Sequence, residues 1–145
     1  MAITTAMCTS FKSELLGGIH DLDTHTIKLA LIKSGESGTY GAATTNYSDV
    51  TGNSDEATGS NYTAGGQTLD SAAITTSGTT ALVDFADEVF SNVTTSADGC
   101  IIYNASASNK AIAVIDFGGT VSATAGDLTI EFPAAGASTA VIRIA

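Results

Sequence analysis

The sequence contains few of the residues that bind nucleic acids, span membranes or build redox sites. Tryptophan is absent, proline occurs once, and five Lys and Arg stand against 15 Asp and Glu, for a net charge of −10. Nucleic-acid binding requires clustered bases that displace counterions from phosphates. The bases here are scattered: Lys12, Lys28, Lys33, Lys110 and Arg143. We therefore expect no nucleic-acid partner, and no membrane partner either, because the chain is acidic and no apolar run approaches ~18 residues.

Cysteine is also scarce, since the chain holds only Cys8 and Cys100. They form no Cys-x-x-Cys motif, so their spacing predicts neither a zinc site nor a dithiol. The alternatives are one disulfide and two buried thiols, and the second is favoured because free Cys packs as a small hydrophobe. The N-terminus lacks the basic segment of a signal peptide, so we expect synthesis in a cytoplasm.

The strongest structural signal is a set of short, strand-like apolar runs. In residues 111–117, six of seven residues are apolar, which predicts a strand covered on both faces in the middle of a β core and ended by Gly118-Gly119. Similar runs occupy residues 81–85, 99–103, 128–132 and 140–144. Two hairpins are expected, one turning at Ser77-Gly78 and one joining residues 99–103 to 110–117.

These runs predict an all-β fold in one domain, residues 1–145. We expect a β-sandwich or partly closed barrel of about seven to nine strands with one N-terminal helix. The helix is predicted over residues 5–16, where Met7, Phe11 and Leu15 form an apolar stripe, and Gly17-Gly18 ends it. Two interpretations of the stripe remain open, packing on the sheet and docking on a partner.

Residues 34–66 differ from the rest of the chain. They are rich in Gly, Ser, Thr, Asn and Asp, and Tyr40, Tyr47 and Tyr62 are spaced through them. A loop of this length in a compact domain is usually functional or part of an interface. Its tyrosines either anchor the loop to the domain or contact a partner, because Tyr combines a large ring with a hydrogen-bonding hydroxyl.

Two clusters contain potential metal ligands. The denser one is His20, Asp21, Asp23 and His25. A transition metal needs three or four converging ligands, whereas Asp and His before a strand more often cap a turn, so turn formation is favoured. The second cluster is Asp49, Asn53, Asp55 and Glu56, whose order does not match a calcium-binding EF-hand loop. No nucleophile motif is present, so we expect no enzyme activity and no cofactor.

Nine short blocks in a fixed order carry a family resemblance. They are Thr-Ala-Met-Cys-Thr-Ser-Phe-Lys (5–12), Glu-Leu-Leu (14–16) followed by His20, Ile-Lys-Leu-Ala-Leu (27–31), Tyr-Thr-Ala-Gly-Gly-Gln-Thr-Leu (62–69), Val-Asp-Phe (83–85), Ile-Tyr-Asn (102–104), Ile-Asp-Phe (115–117), Phe-Pro-Ala-Ala (132–135) and Ile-Arg-Ile-Ala (142–145). Together they span nearly the whole chain. The pattern resembles capsid decoration (cement) proteins of tailed bacteriophages, notably those infecting cyanobacteria and other aquatic bacteria.

The resemblance implies a structural, non-enzymatic virion protein. Such a protein would bind as a homotrimer on the outer surface of the capsid and bridge subunits of the major capsid protein. Under this hypothesis, the N-terminal stripe of Met7, Phe11 and Leu15 docks on the capsid. The loop tyrosines Tyr40, Tyr47 and Tyr62 make the trimer contacts. The alternatives are a phage tail or fibre component and a carbohydrate-binding β-sandwich, although the chain has no Trp for a sugar-stacking face.

Overall fold

A computed structural model describes residues 2–145 and shows a chain built mainly from β-strands. The strands are β1 (Ala2–Ile3), β2 (Ala6–Met7), β3 (Ile27–Lys33), β4 (Thr39–Tyr40), β5 (Gln67–Thr68), β6 (Ala73–Ser77), β7 (Thr80–Asp84), β8 (Glu88–Asn104), β9 (Lys110–Ile130) and β10 (Ile142–Ile144). The helical segments are α1 (Thr9–Leu16), α2 (Ser48–Gly52) and a 3-10 turn at Ala105–Ala107. The predicted all-β, sandwich-like fold with an N-terminal helix is confirmed.

The main sheet has five strands in the order β2-β9-β8-β3-β5. β8 and β9 form a long antiparallel hairpin, and β3 pairs with the other edge of β8. The predicted strand at residues 111–117 lies in the first third of β9, and Ile112 and Val114 are fully buried. The central strand of the sheet is β8, whose residues 99–104 are all buried.

The glycine pair at 118–119 does not end a strand, so that prediction was wrong. β9 continues through it to Ile130, and the pairing with β8 shifts there. Gly99 lies opposite Asp116 and Ala97 lies opposite Val121, so residues 117–120 bulge opposite a single residue, Asp98. The Asp98 carboxylate accepts hydrogen bonds from the Thr120 hydroxyl at 2.6 Å and from the N–H of Gly35 at 3.1 Å. The glycines therefore mark a large, irregular β-bulge, which the Asp98 side chain holds in place.

The N-terminal helix is shorter than predicted because residues 6–7 form β2. Ala6 lies opposite Val114 and Met7 lies opposite Ala113, so the main sheet uses the backbone groups that a longer helix would need. α1 begins only after Cys8, without a side-chain cap. Met7 is thus a strand residue and does not share a helical stripe with Phe11 and Leu15. The helix ends at the Gly17-Gly18 pair, as predicted.

A second sheet contains three strands in the order β10-β7-β6. β6 and β7 form the predicted hairpin, but Ser77 pairs with Thr80, so the turn is Gly78-Thr79, one residue later than expected. Gly78 has φ +60°, a left-handed conformation that glycine adopts without strain. β10 pairs with the other edge of β7 through Ile142–Ile144. Buried residues of this sheet, including Val83 and Ile142, belong to the same hydrophobic cluster as the main sheet.

Two adjacent carboxylates, those of Asp55 and Glu56, hold residues 34–66 together. The fully buried Asp55 carboxylate accepts hydrogen bonds from the Tyr40 hydroxyl at 2.6 Å and from the N–H of Gly38 at 2.8 Å. The Glu56 carboxylate accepts hydrogen bonds from the Tyr47 hydroxyl, from the Tyr62 hydroxyl at 3.0 Å, and from the N–H of Gly65 at 2.6 Å. The segment predicted as a loop is therefore a folded layer that contains β4 and α2.

The three tyrosines make contacts within the chain that help to hold this layer in its fold. Tyr40 is buried, so its predicted role as a trimer contact is wrong. Tyr47 and Tyr62 are half-buried, and their rings stack on Tyr103 and Phe90 with centroid distances of 4.5 Å and 5.6 Å. Burial, followed by the hydrogen bond to Asp55, raises the pKa of Tyr40 to about 12, so its hydroxyl remains a donor at neutral pH. The anchoring interpretation thus accounts for their contacts.

Candidate functional site

The most concentrated polar chemistry surrounds Asn104, at the end of β8. Its side-chain oxygen accepts hydrogen bonds from the N–H groups of Ser106 at 3.0 Å and Ala107 at 3.1 Å. Two N–H donors identify that atom as the oxygen, so the amide nitrogen points the other way, toward Nδ1 of His20 at 3.1 Å and Nδ1 of His25 at 2.9 Å. The Asn104 amide thus links the two imidazole rings to the chain that follows β8.

The buried His20 ring continues this network toward the surface. Its Nε2 lies 2.8 Å from one oxygen of Glu14, and the Lys110 ammonium lies 3.0 Å from the other. Burial alone would raise the pKa of Glu14, but the hydrogen bonds from His20 and Lys110 outweigh it and lower that pKa. Each polar group in the network thus has a partner within the chain, and the arrangement joins α1, the turn at residues 20–25 and the end of β8.

The other candidate metal ligands form a turn. The Asp21 carboxylate accepts hydrogen bonds from the N–H groups of Asp23 and Thr24, both at 3.1 Å, and from the Thr24 hydroxyl at 2.7 Å. The hydrogen bonds from Thr24 and Asp23 lower the pKa of Asp21. Within residues 2–145, no group of three His, Cys, Asp or Glu side chains is placed to hold a metal ion. The structure therefore uses His20, Asp21 and His25 to shape the chain before β3.

Both cysteines are free and buried, so the thiol interpretation is confirmed over the disulfide. Burial, with smaller effects from the charges of Asp49 and Glu14, raises the pKa of Cys8 to about 11. Burial also raises the pKa of Cys100 above its ordinary range. Neither thiol forms an appreciable amount of thiolate at neutral pH, so neither has the character of a catalytic nucleophile.

The candidate site is an apolar surface between α1 and the three-stranded sheet. It consists of two adjoining grooves that share Leu15 and Ile144. The helix groove, about 410 Å³, is lined by Met7, Lys12, Leu15, Leu16, Arg143 and Ile144. The sheet groove, about 400 Å³, includes the apolar side chains of Leu15, Leu22, Ile74, Val83, Ile142 and Ile144.

Large apolar side chains project from this surface into solvent. Leu16 is 91% exposed, Ile74 55% and Ile144 50%. Single exposed apolar residues are normal on protein surfaces, but a cluster of them around a groove is typical of an interaction site. Lys12 and Arg143 lie at the helix groove, and neither forms an ion pair with a residue in the described part of the chain.

The predicted docking residues fall partly on this surface. Met7 and Leu15 line the helix groove and are half-buried. Phe11 is fully buried, with its ring centroid 4.9 Å from that of His20, so its predicted role in docking is wrong. It belongs to the main hydrophobic cluster, and α1 packs against β9.

Three important residues were not singled out from the sequence. Leu16 could have been recognised, because adjacent residues of a helix point about 100° apart and Leu15 and Leu16 cannot both face the core. Asn104 falls in the predicted connection between residues 99–103 and 110–117, whereas the structure places it at the end of β8. Ile74 gave no signal, because its exposure depends on its place at the edge of a sheet.

The chain matches no protein-family model, and comparisons with curated proteins and with solved structures found no match. Within residues 2–145, no helix has the length and apolar character needed to span a membrane.

Proposed function

We propose that this chain is a non-enzymatic structural protein of a phage virion, a capsid decoration protein that binds as a homotrimer to the outer surface of the head. In this role it bridges neighbouring subunits of the major capsid protein. The observation that carries the proposal is the exposed apolar surface along α1, centred on Leu16. The order of sequence blocks that resembles such proteins supports it as well.

The physical requirements of this role are modest. A protein stabilises an assembled shell if it binds the assembled state more tightly than the free subunits. A trimer has three equivalent binding sites for the shell, and their affinities combine through avidity. Each apolar groove therefore needs only moderate affinity. The net charge of −10 favours basic patches on the shell and disfavours the packaged DNA. The polar network around Asn104 would then fix the position of α1, which carries the docking residues.

The carbohydrate-binding alternative is less well supported. Sugar-binding sites generally present exposed aromatic faces, but the Tyr47 and Tyr62 rings stack on Tyr103 and Phe90, and their hydroxyls bond to Glu56. A tail or fibre component remains the competing structural role, and the following experiment separates it from decoration.

The test is co-sedimentation of the purified chain with expanded heads of the phage that encodes it, together with DNA release from those heads on heating. Decoration predicts saturable binding and release at a higher temperature. The variant Leu16→Gln should bind about 10–100-fold more weakly, because burial of one Leu contributes about 1.5–3 kcal/mol. The matched control is Val89→Gln, another exposed apolar residue, which lies on β8 outside both grooves.

Three results would contradict the proposal. The wild-type chain could fail to bind heads, it could bind without changing the release temperature, or it could form tubes by itself, as a tail subunit would. If Leu16→Gln bound as tightly as the wild type, another surface would have to dock on the shell.

A further inference from the structure

The outer edge of β6 has no partner strand. β6 is the last strand of the sheet β10-β7-β6, and β7 is its sole neighbour within residues 2–145. In an antiparallel pair, alternate residues direct their backbone N–H and C=O groups away from the partner, so these groups of β6 point outward. The strand reads Ala-Ile-Thr-Thr-Ser, with neither charge nor proline. Proteins usually protect a sheet edge with charged residues or proline. An edge that lacks them, as here, is a template for strand addition.

The apolar face of the same sheet is incomplete at this edge. Ile142, Val83 and Ile74 lie side by side across β10, β7 and β6, because Val83 pairs with both isoleucines. Their exposure rises across the row from 3% for Ile142 to 8% for Val83 and 55% for Ile74. At the opposite edge, Ile144 lies two residues beyond Ile142 on the same face and is 50% exposed. Each edge of the sheet therefore ends in a half-exposed isoleucine on one common face.

The other face of the sheet carries two opposite charges, one on the edge strand β10 and one on the central strand β7. Arg143 lies on β10 opposite Leu82, and Asp84 lies on β7 opposite Ala73, at the start of β6. Both side chains are on the face opposite Ile74, since they alternate with Ile142 and Val83. The Arg143 guanidinium donates to the carbonyl oxygen of Ala137, and no carboxylate in residues 2–145 pairs with it. Asp84 likewise forms no ion pair in that range.

We propose that copies of this chain associate head to tail, with β6 of one copy adding to β10 of the next. β6 and β10 run in the same direction because both are antiparallel to β7, so the new pairing is parallel. This interface covers Ile74 of one copy with Ile142 and Ile144 of its neighbour. On the other face it brings Arg143 of the neighbour toward Asp84. A second copy fits this edge because the chain is acidic overall and β10 carries one basic residue, Arg143.

A head-to-tail contact of this kind can close. Rotation about an axis along the strands keeps their direction, so each copy offers β6 to one neighbour and β10 to the other, and a ring leaves no free edge. The inference deepens the proposed function, since it names the contact that would hold the oligomer together. It can be tested without heads, so its failure would leave docking through Leu16 untouched.

The experiment measures the mass of the full chain by light scattering during size-exclusion chromatography across a range of concentrations. The wild type should form an oligomer, about 44 kDa for three copies of 14.5 kDa. Ile74→Lys, which puts a charge on the edge, should be monomeric with an unchanged thermal midpoint. Val89→Lys is the matched control and should remain oligomeric. Amide hydrogen exchange should show β6 protected in the wild type and exposed in Ile74→Lys.

A charge exchange tests the pairing itself. Arg143→Glu alone should weaken association, and the double variant Arg143→Glu, Asp84→Arg should restore it. A wild-type chain that stays monomeric at high concentration would overturn the proposal. An oligomer that survives Ile74→Lys with its mass unchanged would do so as well.

Discussion

Replacing Asp55 by Ala should lower the free energy of unfolding by about 3–5 kcal/mol. The carboxylate is fully buried and accepts hydrogen bonds from the Tyr40 hydroxyl and from the N–H groups of Ser37 and Gly38. Removing it leaves the buried Tyr40 hydroxyl and two part-buried N–H groups without this acceptor, and a buried donor left unpaired costs about 1–3 kcal/mol. Lys33, 3.1 Å from the carboxylate, adds little because its ammonium is partly exposed and can be hydrated again.

Urea denaturation at neutral pH measures this loss. The matched control is Asp49→Ala in the same segment, because Asp49 accepts hydrogen bonds from Thr45 and Asn46 at the surface. That variant should lose only about 1 kcal/mol, the usual net contribution of a hydrogen bond whose donor water can reach. Equal losses for the two variants, or a loss below about 1 kcal/mol for Asp55→Ala, would refute the view that Asp55 holds residues 34–66 in place.

The same carboxylate should make stability depend on pH. Burial alone would raise the pKa of Asp55, but hydrogen bonds from Tyr40, Ser37, Gly38 and Lys33 outweigh it and hold that pKa well below its ordinary value. A lowered folded-state pKa means that the stabilisation is complete above the unfolded-state pKa, about 3.9, and is lost as the pH falls below it. Wild-type stability should thus fall more steeply in acid than that of Asp55→Asn. Parallel curves for the two proteins would contradict this assignment.

Three further predictions concern the core. Ile112→Ala should cost about 2–4 kcal/mol in urea denaturation, because Ile112 is fully buried in β9, and a loss below about 1 kcal/mol would contradict a central position. Asn104→Ala should lower the free energy of unfolding by about 2–4 kcal/mol, because two backbone N–H groups and two imidazole nitrogens lose their hydrogen-bond partner. An unchanged urea midpoint would show that the network adds nothing to stability. Cys8 and Cys100 should resist a thiol reagent in the native protein at mildly alkaline pH and react in denaturant, whereas rapid native labelling would show that they are accessible.

The sequence located the core strands because those strands are continuously apolar. Residues 99–103 and 111–114 are buried from both sides of the main sheet, and such strands show as unbroken apolar runs. The glycine pair at 118–119 was misread because a bulge and a strand end use the same residue type. The choice between them depends on the register with β8, and register is a property of two strands together.

The start of α1 and the role of the tyrosines could not be read locally. Met7 has the spacing of a helical residue, but its backbone pairs with Ala113, more than a hundred positions later in the chain. Tyr47 and Tyr62 depend likewise on distant residues, since their rings stack on Tyr103 and Phe90. These outcomes are set by long-range contacts, which override local propensity and composition.

The apolar surface calls for an explanation that folding does not provide. Leu16, Ile74 and Ile144 contribute little to the core, because half or more of each side chain is exposed. Polar residues at these positions would be tolerated by the fold and would make the surface more soluble. Complete burial of one such side chain contributes about 1.5–3 kcal/mol, which becomes available only when another molecule covers it. Exposed apolar side chains gathered on one surface therefore favour association. The polar network around Asn104 reinforces this conclusion, because it fixes α1 and with it the position of Leu16.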